Sequence, residues 1–193
     1  MDPPASTAYL ESIGLHRRGY VLFVGALVPD KGPDILIDGY RKVPGDMPLV
    51  IVGDSPFAPE YRQHLRESAA KDPRIRMLGY VYDEKYRELV AHAYAYVHPL
   101  RSDGTSPALL QAMGYGSCIV INSLPEALSA VGDAALPFAH NDSDDLARQL
   151  QRVLADEELA RSLREKALER VRAEYNWDDV AAAHRLVYER ALD

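Results

Sequence analysis

Cysteine is almost absent from this chain, whose 193 residues contain only Cys118. A single thiol excludes an internal disulfide framework and any zinc cluster built on cysteines. Cys118 begins the apolar run 118–121, which continues with two isoleucines and a valine. A free cysteine in such a run is typically a small buried residue. We therefore predict that Cys118 packs in the core.

The sequence also lacks a recognisable targeting or membrane-spanning segment. Its first residues show no basic stretch followed by an apolar one, as a signal peptide would. The longest stretch free of charge, 104–125, is interrupted by three glycines and two prolines, whereas a membrane span needs about 20 mostly apolar residues. We predict a soluble, cytoplasmic protein with no integral membrane segment.

Basic residues are outnumbered by acidic ones. The 22 Lys and Arg against 29 Asp and Glu give a net charge of −7, so the chain has no general attraction to nucleic acid or anionic membranes. The apolar fraction of 47% and the charged fraction of 26% are ordinary for a globular protein. The length suits one domain with a well-buried core.

Two common nucleotide-binding patterns and the usual metal-binding patterns are missing. Neither G-x-G-x-x-G nor G-x-x-x-x-G-K-[ST] occurs, so an ordinary dinucleotide-binding dehydrogenase and a P-loop nucleotidase are not supported. The six histidines show no metal-ligand spacing, and the acidic run 142–145 lacks the glycine and distal glutamate of a calcium loop. We interpret that run as an acidic helix start and predict no metal site.

Short apolar runs alternate with helix-like segments, which is typical of βαβ units on a parallel sheet. The runs lie at 20–24, 49–52, 75–78, 95–98 and 118–121. Helix starts are indicated at Pro33, Asp83 and Ser106, and the pattern is helical from Asp142 to the end. We predict an α/β fold, a Rossmann-like open parallel sheet with helices on both faces and a helical C-terminal extension. We divide the chain into a lead-in at 1–19, a Rossmann-like domain at 20–174 and a C-terminal helix at 175–193.

Two loops follow strands at the edge where open parallel sheets bind ligands. In the loop 25–32, Gly25 lets the backbone approach a ligand closely, and Lys31 adds a positive charge, as a diphosphate requires. The loop 101–107 leads into a helix whose free N–H groups form an anion-binding end. The simpler interpretations are a surface lysine and a capped helix without a ligand. The candidate residues of the second loop and its helix are Asp103, Gly104, Thr105, Ser106 and Gln111.

An ordered set of segments carries a resemblance to a known family. The segments are FVGALVPDKG at 23–32, LVIVGDSP at 49–56, RMLGYV at 76–81, DGTSPALLQAM at 103–113, PEA at 125–127 and YNW at 175–177. In this order they resemble the glycosyl transferases group 1 domain, the C-terminal, donor-binding half of a GT-B glycosyltransferase of the retaining family 4 type. The resemblance implies transfer of a hexosyl group from a nucleotide diphosphate sugar to an acceptor, with retention and without an obligatory metal or other cofactor.

The resemblance also assigns the diphosphate-binding residues. Lys31 matches a lysine that holds the donor diphosphate. Gly25 and Ala26 lie on the same loop, and Ala26 stands where the family usually has an arginine. Arg101 is a candidate substitute for that missing cation, on its position alone. Phosphate would also be held at the helix start by Gly104, Thr105 and Ser106.

The remaining assignments concern the sugar, the ribose and the base. The family's paired glutamates fall on Asp103, which would contact the donor sugar, and on Gln111, which would accept hydrogen bonds from the ribose hydroxyls. Lys31 and Asp103 would be the catalytic residues. The base would lie near Tyr80 and Val81, where backbone groups and an apolar wall hold it.

Three functions stay open at this point. The first is a catalytically competent donor module. The second is a non-catalytic nucleotide-binding or regulatory subunit of a glycosyltransferase assembly, in which Ala26 and Gln111 indicate relaxed donor chemistry. The third is an unrelated flavodoxin-like binding module. The resemblance implies an N-terminal acceptor-binding domain or partner chain, since a two-domain enzyme needs about twice this length. The C-terminal stripe is predicted to fold back on the domain or to mediate self-association. Its members are Trp177, Val180, His184, Val187 and Ala191.

Overall fold

Parallel strands form one six-stranded sheet in the computed structural model, which describes residues 4–102, 106–176, 181–182, 184–185 and 187–189. The strands are β1 Val21–Val24, β2 Leu49–Val52, β3 Ile75–Gly79, β4 Ala95–His98, β5 Cys118–Asn122 and β6 Ala135–Phe138. They lie in the order β3-β2-β1-β4-β5-β6, and every neighbouring pair is parallel. The predicted Rossmann-like parallel sheet is confirmed.

Helices cover both faces of this sheet. Because successive strand residues point to opposite faces, Val21 and Phe23 join one apolar cluster while Leu22 joins the other. Cys118 is fully buried in the first cluster, as predicted. The helices are α1 Ala8–Ser12, α2 Pro33–Tyr40, α3 Pro59–Ala69, α4 Asp83–His92, α5 Pro107–Gly114, α6 Pro125–Val131, α7 Ser143–Ala155 and α8 Glu157–Glu174, with a 3-10 turn at Pro29–Lys31.

The order of the strands reverses beside β1. β2 and β3 lie on one side of β1, and β4, β5 and β6 lie on the other. The loops that follow β1 and β4 therefore lead into helices on opposite faces of the sheet, α2 and α5. Ligands of open α/β sheets bind in the crevice at such a switch point, and these are the two loops that the sequence singles out.

The sequence pattern misses α1, α3, α6 and β6. The run that becomes β6 contains Pro137, and a proline argues against a strand because it cannot donate to the ladder. It is tolerated here because β6 is an edge strand that pairs only with β5. The predicted bounds of the other strands agree within one residue, with β1 beginning at Val21 and β5 ending at Asn122.

The helical pattern after Asp142 divides into separate helices. The Asp142 carboxylate accepts hydrogen bonds from the N–H groups of Asp144 and Asp145 at 2.8 and 3.0 Å, which confirms the acidic helix start. Asp156 separates α7 from α8 and caps the latter. Of the predicted C-terminal stripe, Val187 is 63% exposed and His184 is also exposed, and the predicted packing or self-association of the stripe stays a prediction. Outside the described residues lie Trp177, Val180 and Ala191.

The backbones that leave β1 and β2 approach each other too closely for a side chain. Gly53, directly after β2, has φ +126°, and a Cβ atom there would lie 2.0 Å from the carbonyl oxygen of Gly25. Its N–H donates to the carbonyl oxygen of Gly79 at 2.8 Å. Glycine is therefore required at position 53 both for its conformation and for the space it leaves.

Replacing Gly53 by alanine tests this close approach. Gly45→Ala is the matched control, because Gly45 also has positive φ (+99°) but nothing within 4 Å of its Cβ position. We expect Gly45→Ala to cost about 1–2 kcal/mol of the free energy of unfolding, for conformation alone. Gly53→Ala should cost about 3 kcal/mol or more, because backbone must move. Equal losses in urea unfolding of the two variants would contradict the steric argument.

Candidate nucleotide-binding site

A cleft of about 470 Å³ opens at the carboxyl ends of β1, β2 and β3. Gly25 and Ala26 line it from the loop after β1, Gly53 from the end of β2, and Tyr80 and Val81 from the loop after β3. Four of these five residues, all except Gly53, are predicted nucleotide-binding residues. The structure brings these four, from two separate loops, to one cavity.

Aromatic side chains form an exposed rim on this cleft. Phe57, Tyr80 and Tyr82 are 89%, 54% and 65% exposed. The rings of Tyr80 and Tyr82 stack with their centroids 5.9 Å apart and their planes at 16°. A flat apolar face of this kind can pack against a planar ligand. The sequence prediction omits Phe57 and Tyr82, although their place in the loops after β2 and β3 is a signal that could have found them.

Asp54 puts a carboxylate in the wall of the cleft. Its Oδ1 accepts hydrogen bonds from Nη1 of Arg62 at 2.9 Å and from the N–H of Ser55 at 2.8 Å. Nη2 of Arg66 lies 3.6 Å from its Oδ2. The hydrogen bond from Arg62 lowers the pKa of Asp54, so the group is ionised at neutral pH. The two arginines offset a charge that would otherwise repel an anionic ligand.

Lys31 lies farther along the loop after β1 and is not part of the cleft wall. It ends the 3-10 turn and precedes Gly32, whose φ is +66°. A Cβ atom on Gly32 would lie 2.1 Å from the carbonyl oxygen of Pro99, so this turn is in direct contact with the loop after β4. Lys31 forms no salt bridge with any residue that the structure describes. Its ammonium group is therefore not neutralised by a described carboxylate.

Arg101, a candidate phosphate-binding cation on its position in the loop, is paired with a carboxylate in this structure. Its guanidinium Nη1 and Nη2 donate to Oδ1 and Oδ2 of Asp34 at 3.0 and 2.6 Å. Nη1 also donates to the carbonyl oxygen of Pro29 at 2.6 Å. A bidentate pair with a carboxylate occupies the fork of the guanidinium. The sequence pattern does not show this carboxylate partner of Arg101, and the proposed role of Arg101 towards phosphate stays a prediction.

The second predicted loop is described in part. Ser106 occupies the N-cap position of α5 and Pro107 its first turn, as predicted, but the Ser106 side chain makes no capping hydrogen bond. Its hydroxyl and the N–H groups of the first turn can therefore serve a ligand. Gln111 is half-buried on α5. Outside the described residues lie Asp103, Gly104 and Thr105.

His98 ends β4 and is buried, with 2% of its surface exposed. Neither ring nitrogen has a hydrogen-bond partner among the residues that the structure describes. The ring stacks on that of Tyr96 with centroids 6.2 Å apart. Burial, followed by the charge of Lys31, lowers the pKa of His98 to about 4. The imidazole is therefore neutral at neutral pH.

Residues 9–170 match the family model described as glycosyl transferases group 1. The chain belongs to this family. It is 29% identical over 160 residues to the O-antigen chain mannosyltransferase B of Escherichia coli. The aligned region covers 81% of this chain and 42% of that protein. It is also 28% identical over 175 residues to the gpi3 subunit of phosphatidylinositol N-acetylglucosaminyltransferase of Schizosaccharomyces pombe. That alignment covers 88% of this chain and 38% of the subunit. The chain thus spans less than half the length of these relatives.

The fold of this glycosyltransferase domain is that of one half of a GT-B enzyme. The crystal structure of Anabaena HepE in complex with UDP and glucose superimposes with a TM-score of 0.83. The two share 18% sequence identity, and the match covers 97% of this chain and 53% of that one. At this identity the likeness establishes the fold alone.

Neither a membrane-spanning helix nor a cluster of metal ligands occurs among the described residues. No helix among the described residues is long and apolar enough to cross a membrane. Within the same part of the chain, no three His, Cys, Asp or Glu side chains come together as metal ligands. The predicted lack of a metal site stays a prediction, because the loop at 103–105 carries a further acidic residue.

His98→Phe tests the orphaned imidazole. Because the pKa of His98 is about 4 in the folded domain and 6.5 in the unfolded chain, the unfolded chain binds more protons between these values. Stability therefore falls as the pH is lowered from 6.5 to 4, by about 3 kcal/mol from this residue.

The phenylalanine variant should lack this part of the pH dependence, and at neutral pH it should be at least as stable as the wild type because it buries no unpaired nitrogen. Urea unfolding of both proteins across this pH range measures the difference between their free energies of unfolding. The contributions of other titrating groups cancel in that difference because both proteins share them. Parallel stability curves for the two proteins would contradict the assignment.

Proposed function

We propose that this chain is the donor-binding half of a glycosyltransferase, which holds a nucleotide diphosphate sugar while its hexosyl group passes to an acceptor. The observation that carries the proposal is the cleft at the carboxyl ends of β1, β2 and β3, in a chain of the group 1 family. It is further supported by HepE, which has the same fold and was crystallised with UDP and glucose.

The nucleotide base would lie against Tyr80 and Val81. Both line the cleft, and the stacked rings of Tyr80 and Tyr82 offer a planar apolar face. Backbone N–H and C=O groups of this loop would supply the polar contacts, as they commonly do in largely apolar ligand sites. Base identity would then depend on backbone geometry, so the choice among uracil, guanine and thymine is a matter for measurement.

The diphosphate would follow the backbone after β1 towards α5. Gly25 and Ala26 carry no large side chain, so the backbone there is open to a close approach. Lys31 would supply the cation, and the first turn of α5 with the Ser106 hydroxyl would supply neutral donors aligned with the helix dipole. The same anion-binding role is proposed for Gly104 and Thr105.

Catalysis by this half would be electrostatic. Lys31 and the start of α5 would stabilise the negative charge that develops on the departing diphosphate, where preorganised donors are most effective. Asp103 would orient the donor sugar, and Gln111 would accept hydrogen bonds from the ribose hydroxyls. Lys31 and Asp103 are thus the proposed catalytic residues, for a transfer with retention and no obligatory metal.

The acceptor would be bound by a separate N-terminal domain or partner chain. The chain spans 42% and 38% of the two relatives compared, so a complete enzyme would require more protein. In the proposed division, 20–174 forms the nucleotide-sugar domain, 1–19 leads into it, and 175–193 crosses towards the acceptor half. We propose that the reaction takes place in the cytoplasm.

A non-catalytic nucleotide-binding or regulatory subunit is the second candidate function. Ala26 lacks the positive charge of the arginine that is usual in the family, and Gln111 lacks the negative charge of the usual glutamate. One relative is itself named as a subunit of a transferase. Such a subunit would bind a nucleotide diphosphate without preference for an attached sugar, whereas a donor module would distinguish among sugars on the same nucleotide.

Calorimetric titration of the chain with UDP, GDP and dTDP tests the proposal. We expect one of them to bind. Lys31→Ala should lower the affinity for that diphosphate about ten-fold or more, because this is the scale of a lost charged hydrogen bond. Affinity for the matching nucleoside should be unchanged. Lys42→Ala is the matched control, because Lys42 pairs with Asp144 at 2.6 Å on the far end of α2 and should leave both affinities unaltered.

Two results would contradict the proposed role. Failure of all three diphosphates to bind at about 1 mM, where even a weak site with Kd in that range is half filled, would exclude a donor site in this chain. Equal weakening of diphosphate and nucleoside by Lys31→Ala would show that Lys31 does not hold phosphate. Titration of the same nucleotide with different attached sugars then separates a donor module from a regulatory subunit.

A further inference from the structure

Arg101 and Asp34 join the two loops of the candidate site. Arg101 lies just beyond β4, and Asp34 lies in the first turn of α2, beyond the Lys31 turn. Their two hydrogen bonds, at 3.0 and 2.6 Å, form a bidentate ion pair. The side chains are 28% and 27% exposed, so the pair is partly screened from water.

The same loop also holds the backbone on the other side of Lys31. The Arg101 guanidinium donates to the carbonyl oxygen of Pro29 at 2.6 Å, and the Arg101 backbone N–H donates to that of Asp30 at 2.9 Å. The Ser102 hydroxyl donates to the Asp30 carboxylate. The turn is therefore anchored at positions 29 and 30 before Lys31, and at position 34 after it.

Tyr61 connects this network to a third element. Its hydroxyl, on α3, donates to Oδ1 of Asp34 at 2.6 Å. Burial opposes ionisation of Asp34, but the hydrogen bonds from Arg101 and Tyr61 outweigh it and lower the pKa of the carboxyl. Asp34 is thus a charged acceptor with three side-chain hydrogen bonds from two residues, whereas Lys31, inside the network, forms no salt bridge with a described residue.

We propose that the Arg101–Asp34–Tyr61 network is a positioning device, which fixes the turn that presents Lys31 to the donor diphosphate. The inference rests on the proposed function. A partly exposed ion pair contributes little to stability by itself, but a turn anchored on both sides loses less freedom when its lysine meets a ligand. Asp34 also keeps the Arg101 guanidinium occupied, so that Lys31 remains the cation available to phosphate.

The alternative is that Arg101 is itself a phosphate ligand that leaves Asp34 when the ligand arrives. The two ideas predict opposite changes of UDP affinity in Asp34→Asn. If the network positions Lys31, this change loosens the turn and weakens UDP binding. If Asp34 competes with the diphosphate for Arg101, removal of its charge frees the guanidinium and strengthens UDP binding.

Titrations of UDP and uridine into the wild type and the variants below separate these outcomes; GDP with guanosine, or dTDP with thymidine, takes their place if the wild type binds that diphosphate instead. We expect Asp34→Asn to lower UDP affinity by about five-fold or more and to leave uridine affinity unchanged. Tyr61→Phe should cause a smaller loss of UDP affinity. In the Lys31→Ala background, Asp34→Asn should have no further effect, because the network acts through Lys31.

Asp72→Asn is the matched control. Asp72 forms a bidentate pair with Arg74, at 3.0 and 2.7 Å, just before β3 at the opposite edge of the sheet. This change should leave UDP affinity intact even where it lowers the melting temperature. A merely structural role of Asp34 would likewise change the melting temperature and not the difference between UDP and uridine.

The outcomes distinguish this inference from the proposed function. If no nucleotide diphosphate binds the wild type, the proposed function fails and the inference fails with it. If UDP binds through Lys31, any of four results for Asp34→Asn overturns the positioning role while the donor site stands. These are an unchanged UDP affinity, a higher UDP affinity, an equal loss of uridine affinity, or a further loss of UDP affinity in the Lys31→Ala background.

Discussion

The close approach of backbone segments at the carboxyl edge of the sheet is the constraint on which the candidate site depends. Gly32 leaves no room for a side chain against the Pro99 carbonyl, and Gly53 leaves none against Gly25. The loops after β1, β2 and β4 are consequently held at contact distance by the fold itself. Arg101 can reach the Lys31 turn only because these backbones already touch. The sheet therefore determines the arrangement of the loops before any ligand is present.

Two carboxylates at this edge are paired with arginines, in a chain whose net charge is −7. Asp34 is matched by Arg101, and Asp54 in the cleft wall is matched by Arg62 and Arg66. Neither carboxylate then presents an uncompensated negative charge to an anion. Lys31 differs from these groups, because it has no carboxylate partner in the described part of the chain. Local pairing thus makes one positive group prominent in an acidic protein.

The fold could be predicted from the sequence because buried parallel strands appear as short apolar runs. Gly25 was proposed for the same reason, since it follows such a run, whereas Tyr80 was proposed from the family resemblance; both line the cleft. Contacts between residues that are distant in the sequence could not be predicted. The pairing of Arg101 with Asp34 spans 67 positions, and nothing local distinguishes a paired arginine from an available one. β6 was missed because Pro137 is acceptable only on an edge strand, and strand order is a property of the assembled sheet.

The alanine at position 26 gains meaning from this arrangement. With Ala26 in place of an arginine and Arg101 committed to Asp34, the proposed diphosphate site has Lys31 as its side-chain cation among the described residues, and otherwise depends on N–H groups. Neutral donors bind a diphosphate less strongly than charged ones, so affinity should depend heavily on where that single ammonium group lies. A site with one cation is more sensitive to the position of that cation than a site with two. We therefore expect the proposed positioning by the network around Asp34 to matter most in a sequence with alanine at position 26.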